Sequence, residues 1–230
     1  MIEILLIRHG ETAWNAEKRM QGHLDIGLNA AGVRQAAALG LALQHEPLDA
    51  VFSSDLKRAF DTAQALATSR GLPVGTDVGL RERCFGIFEG QLYADLEACD
   101  SVAYTAWKSR DLDARYPAGE RVAETLREFS VRSLATLDRL AAHGGHRRIA
   151  IVTHGGVLEC IYRAATNTSL QQARDFDIPN AGVNRVQWDA GKMQILDWAN
   201  VNHLDIAALD ECMPECIPER SPRNSPGRIQ

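Results

Sequence analysis

"IEILLIRHGETAWN", residues 2–15, decides how this chain folds. All of residues 2–7 except Glu3 are apolar, a short unbroken run of the kind that makes a strand buried on both faces of a parallel sheet. The run ends on Arg8, His9 and Gly10, two side chains that want water or charge and then a glycine. "RIAIVTHGG", residues 148–156, repeats the arrangement: a buried strand, a histidine, then glycines. Between them "DAVFSS", residues 49–54, reads as another strand, and it feeds a helix, "DLKRAFDTAQALATSR", with Ser54 as candidate cap.

Other elements fill the intervals. Asn29 is a candidate N-cap for a helix with Val33, Ala36, Ala37, Gly40, Leu41 and Leu43 favouring one side. A helical stretch covers about residues 92–108, and Val122, Leu126, Phe129, Leu134, Leu137 and Leu140 mark a long amphipathic helix. "VNRVQWD" and "KMQILDWA" form a hairpin around Ala190 and Gly191. Strands alternating with helices imply an α/β domain with a mostly parallel sheet, and such sheets bind ligands beyond their strands' carboxyl ends. One rim then collects Arg8 and His9, Ser53 and Ser54, and Thr153 and His154.

The chain has 230 residues, enough for one large domain, with 45% apolar and 24% charged residues. A net charge of −5 argues against nucleic acid as a partner but leaves room for an arginine cluster around an anionic small molecule. The apolar runs are strand-sized, so no membrane span is expected. Met1 is followed by Glu3 and a strand rather than by a basic segment and an apolar signal core, which points to a cytoplasmic protein. Five cysteines without a signal peptide fit reduced thiols. Cys212 and Cys216 lack the histidine or second pair that a zinc site needs, and no metal is expected. Half of the eight prolines (Pro214, Pro218, Pro222 and Pro226) fall in residues 210–230. Residues 1–209 are therefore read as the domain and 210–230 as a disordered tail.

A lone histidine at a strand end is usually structural. Two on one rim, one of them preceded by arginine and both followed by glycine, point to chemistry. Arg58, near the start of the helix after Ser54, and Glu82, in a glycine-bounded loop, add a cation and a carboxylate. Together "LIRHGETAWN", "SSDLKRAFDTA", "LRERCFGIFEG" and "VTHGGVL" resemble the histidine phosphatase superfamily, the phosphoglycerate mutase-like proteins, in order along about residues 2–204. The resemblance implies a three-layer α/β/α fold. It also implies a phosphomonoesterase acting on small phosphorylated metabolites without a cofactor. His9 would be the nucleophile, forming a phosphohistidine, and needs one ring nitrogen free and the other hydrogen-bonded in the protein. Arg8, Arg58 and His154 would hold the phosphoryl oxygens, and Asn15 would donate to them. Glu82 would protonate the leaving oxygen and then activate water, which calls for a raised pKa. Gly155 and Gly156 could add N–H donors, and Gln21 and Gly22 lie where the family's substrate loop lies.

Some positions depart from the family. His23, Gly27 and Asn29 stand where an aromatic residue, proline and threonine are common, and Arg121 replaces a common serine. His203 fits the family pattern and is read as structural. Phosphoglycerate mutase activity through the same phosphohistidine is the alternative. It would use an adjacent arginine pair after the glutamate, and here the only such pair before His154 is Arg147 and Arg148. A non-catalytic phosphate-binding module is a remote third reading, because no nucleophile, acid or cation is missing. A homodimer is left open.

Overall fold

A computed structural model describes residues 1–204 and 210. Cys212, Cys216 and the proline-rich stretch lie outside the described residues.

The opening run forms β1 (Ile2–Arg8), with Ile4, Leu5, Leu6 and Ile7 wholly buried. The other strands are β2 (Ala50–Ser53), β3 (Val74–Thr76), β4 (Arg148–Thr153), β5 (Val183–Asp189) and β6 (Lys192–Asn200). They make one sheet in the order β3-β2-β4-β1-β5-β6. The first four run parallel, while β5 and β6 form the antiparallel edge. Their hairpin turns on Ala190 at φ 48° and Gly191 at φ 83°, the paired positive φ values that a tight two-residue turn between twisted strands requires.

Helices cover both faces because β1 alternates. Leu5 and Ile7 pack with Leu39 of α2 (Ala30–Ala42) and with Ala59, Ala63 and Leu66 of α3 (Lys57–Thr68). Ile4 and Leu6 face α6 (Leu126–Ala142) and α7 (Gly155–Thr166) through Phe129, Leu137, Val157 and Ile161. The result is a three-layer α/β/α fold. Short α1 (Ala13–Ala16) follows β1. A smaller core of Met20, Phe88, Leu96, Ala103 and Tyr116 forms where α4 (Leu96–Cys99) and α5 (Ser101–Lys108) cover the loops beside the strand ends. Among the described residues, no helix is long and apolar enough to cross a membrane.

Several local expectations are corrected. Ser54 does not cap α3, whose N-cap is Leu56 without a side-chain bond; Ser54 Oγ accepts from the Leu56 N–H at 3.3 Å. Helix 92–108 breaks at Asp100, whose carboxylate accepts from the N–H groups of Val102 and Ala103 and so starts a new helix. Val122 is exposed and precedes α6, which begins at a capping box of Thr125 and Glu128. Asn29 does cap α2, but Val33 and Leu41 face solvent, and Leu39 fills the core in their place.

Candidate active site

Parallel pairing brings the predicted rim together. Arg8 sits opposite Thr153 and Ser53 opposite Val152, so β1, β2 and β4 end side by side. The His9 N–H bonds the Thr153 carbonyl at 2.9 Å. The His9 carbonyl accepts from Asn180 Nδ2 at 3.1 Å and from the Ala181 N–H at 3.2 Å. His203 hydrogen-bonds the Ala181 backbone, in keeping with a structural role. Gly10 lies against α2 so tightly that a Cβ there would come within 2.7 Å of the Gly32 carbonyl oxygen. Glycine at both positions lets the segment after the histidine pass directly against α2.

His9 is buried, and its Nδ1 lies 2.7 Å from the Gly10 carbonyl oxygen. A carbonyl can only accept, so Nδ1 carries the proton and the lone pair is on Nε2. Burial, then Arg58, then Arg8 hold His9 well below the ordinary histidine range, while the Gly10 bond pulls weakly the other way. The imidazole is neutral at physiological pH. His154, whose ring centroid is 5.1 Å from that of His9, is wholly buried and likewise depressed by burial and then by Arg58. Neither of its ring nitrogens has a hydrogen-bond partner among the described residues.

Arg58 is buried on the first turn of α3, where it donates from Nη1 to the Leu24 carbonyl at 2.9 Å and from Nη2 to that of Gly22 at 2.8 Å. It therefore shapes the loop carrying Gln21 and Gly22 as well as charging the pocket. Asn15 is tied locally: its Oδ1 accepts from Thr12 N at 2.8 Å and Thr12 Oγ1 at 2.9 Å, closing the cap of α1. Any donation to a bound anion falls to Nδ2.

Glu82 lines the same cavity as His9. Oε1 accepts from the Arg83 N–H at 2.8 Å and Oε2 from the Gly156 N–H at 3.0 Å, at the start of α7. A Cβ on residue 156 would come within 2.2 Å of Oε1, so only glycine lets the carboxylate sit there. Burial raises the Glu82 pKa, and the two N–H bonds and both arginines oppose it without reversing it. The Glu82 carbonyl is pinned as well, by His23 Nε2 at 2.7 Å and Arg132 Nη2 at 3.1 Å.

These groups surround a cavity of about 150 Å³, suited to a small metabolite. Arg8, His9, Gln21, Gly22, Arg58, Glu82 and Gly155 line it, whereas Asn15 and His154 are not among its lining residues. Sequence reasoning missed Phe85, Tyr93, Glu159 and Arg174 on the wall, and Arg132 behind Glu82. None carries a local signal; an arginine inside an amphipathic helix reads as a solvated one.

The chain is similar to known proteins along most of its length. Phosphoglycerate mutase-like protein 4 of Arabidopsis thaliana is 40% identical over 88% of this chain and 87% of its own length. A metal-independent phosphoserine phosphatase from the same plant is 38% identical over 88% and 83%. Among solved structures, Bacillus stearothermophilus YhfR superposes with a TM-score of 0.78 at 29% identity, covering 88% of this chain and 99% of that one. A mycobacterial glucosyl-3-phosphoglycerate phosphatase does so with a TM-score of 0.75 at 28% identity, covering 86% and 99%. Residues 4–201 match the family description, and the chain belongs to the histidine phosphatase superfamily, branch 1.

Proposed function

We propose that this protein is a phosphomonoesterase that hydrolyses small phosphorylated metabolites through a phosphohistidine at His9. The observation that carries the reading is the state of His9: neutral, with Nδ1 bonded to the Gly10 carbonyl, held between buried Arg8 and Arg58. Its Nε2 lone pair attacks phosphorus as the ester P–O bond breaks, and the leaving oxygen takes the proton of Glu82. Water then attacks the phosphohistidine, Glu82 takes the water's proton, and inorganic phosphate leaves with His9 restored. Arg8 and Arg58 offset the charge gathering on the phosphoryl oxygens. A buried polar group without a partner costs about 1–3 kcal/mol. His154 carries that cost beside His9, which supports a role as hydrogen-bonding partner of the phosphoryl group. Asn15, through Nδ2, and the Gln21–Gly22 loop are proposed as further substrate contacts.

The relatives named as phosphatases support hydrolysis, and those named as mutases keep phosphoryl transfer as the second reading. A cytoplasmic setting belongs to the same proposal, supported by the free thiols of Cys84, Cys99 and Cys160.

The test is the covalent intermediate. Protein quenched in alkaline detergent seconds after mixing with a radiolabelled aryl phosphate should carry acid-labile, base-stable label. His9→Ala should remove the label and lower turnover at least about a thousandfold. Label that persists in that variant would place the nucleophile elsewhere.

A further inference from the structure

Arg174 lies on the pocket wall with Arg8, and it is only 9% exposed. Its Nη2 donates to Oδ1 of Asp210 at 2.5 Å. The same carboxylate oxygen lies 4.0 Å from Arg8 Nη1, and Oδ2 accepts from the Ile178 N–H at 2.7 Å. One carboxylate therefore rests in a cradle of two guanidinium groups and a backbone N–H. Arg8, one of those groups, also acts on His9, its charge helping to hold the imidazole below the ordinary histidine range. Of the two acidic side chains that line the cavity, Glu82 accepts from two backbone N–H groups, and Glu159 is engaged by Arg110 at 2.5 Å and Arg163 at 2.9 Å.

A planar, buried guanidinium beside a backbone N–H selects a carboxylate by geometry as well as by charge. An anion in this cradle and a phosphoryl group on His9 would share Arg8, so both can belong to one small molecule. We propose that Arg174 and the Ile178 N–H form the subsite for a second anionic group, a carboxylate, on the substrate. Asp210 occupies that subsite as an internal competitor, which the substrate carboxylate displaces. The inference rests on the phosphatase reading and narrows its substrate class to carboxylated phosphomonoesters.

A matched pair of substrates isolates the subsite. 3-Phosphoglycerate and glycerol 3-phosphate differ in carrying a carboxylate or a hydroxymethyl group, and the ratio of their kcat/KM values is the readout. The unaltered protein should prefer 3-phosphoglycerate. Arg174→Gln should lower the ratio at least tenfold, and Arg174→Lys, which keeps charge without the planar fork, should lower it less. Asp210→Asn should raise the ratio at least threefold, chiefly through a lower KM for 3-phosphoglycerate. Ratios within twofold of the unaltered protein in both Arg174→Gln and Asp210→Asn would make the cradle purely structural and overturn the proposal. So would a lower ratio in Asp210→Asn, or an unaltered protein with no preference. Melting temperatures measured alongside identify any variant that fails to fold, and Arg174→Lys then carries the test. Absence of aryl phosphate turnover and of label on His9 would instead strike the phosphatase reading itself.

Discussion

His9 and Glu82 are pushed in opposite directions by the same pocket, and the pH range of catalysis follows from the two signs. Burial and two neighbouring arginines lower His9, so it becomes a neutral nucleophile at a pH below its ordinary value of about 6.5. Burial raises Glu82, so it keeps its proton above the ordinary carboxylate value of about 4.3. Activity as nucleophile and acid needs pH above the first pKa and below the second. We expect kcat/KM for an alkyl phosphate to be bell-shaped, with its acid limb set by His9 and its alkaline limb set by Glu82. Glu82→Gln should lower kcat by about 10²–10⁴ and abolish that limb. An alkaline limb that survives the substitution would belong to another group. These residues were legible because each ends a strand or stands in a short motif. Arg174 and Asp210 were not, because the chain brings them together by tertiary folding across 36 positions, and neither has a local pattern.

Elements matter here as carriers of backbone. Glu82 lies on an irregular loop, yet α6 reaches over and fixes it. Arg132 donates to the carbonyls of Gly79, Arg81 and Glu82 at 2.9, 3.0 and 3.1 Å, and to both oxygens of Glu124 at 2.7 Å. One helical side chain thus holds three carbonyls of one short loop in place, those of Gly79, Arg81 and Glu82, while His23 also bonds the Glu82 carbonyl. Arg132→Met keeps most of the side chain's length and removes every donor. We expect it to lower kcat about tenfold with little change in KM and to cost about 1–3 kcal/mol in stability. The alkaline limb of the pH profile should also shift, because the backbone that carries the Glu82 carboxylate would no longer be fixed from α6. A loss of stability with kcat and the pH profile intact would reduce Arg132 to a structural brace. The sequence showed α6 through its apolar spacing, just as it showed β1, β4 and the closing hairpin. It hid what depends on single backbone bonds: the break at Asp100, and the start of α3 at Lys57, with Leu56 rather than Ser54 as its N-cap. Period and composition describe faces, whereas caps depend on which carbonyl or carboxylate meets which N–H.

At the scale of the molecule, the choice between hydrolysis and transfer depends on where the positive charge lies. Both reactions share every step to the phosphohistidine, and they differ in what reaches it next. A mutase must exclude water and grip its substrate while the phosphoryl group changes position. The adjacent pair Arg147–Arg148 could serve that end only near His9, but it sits at the start of β4, and His9 adjoins the other end. Arg148 is already paired with Glu3 at 2.5 Å and Glu46 at 3.2 Å, and Asp49 accepts from both backbone N–H groups. Arg110, nearer the pocket, is bound to Glu159 at 2.5 Å. The cradle at Arg174 offers one anchor for a carboxylate, not the two-sided grip that transfer requires. We therefore expect inorganic phosphate to be the main product from both an aryl phosphate and 3-phosphoglycerate. Interconversion of the phosphoglycerates should be slower than that hydrolysis even when primed with bisphosphoglycerate. Both rates must come from one preparation, so that the fraction of active protein cancels. Isomerisation faster than hydrolysis by about a hundredfold, a barrier difference of nearly 3 kcal/mol, would mean that water is excluded from the phosphohistidine and that the protein is a mutase.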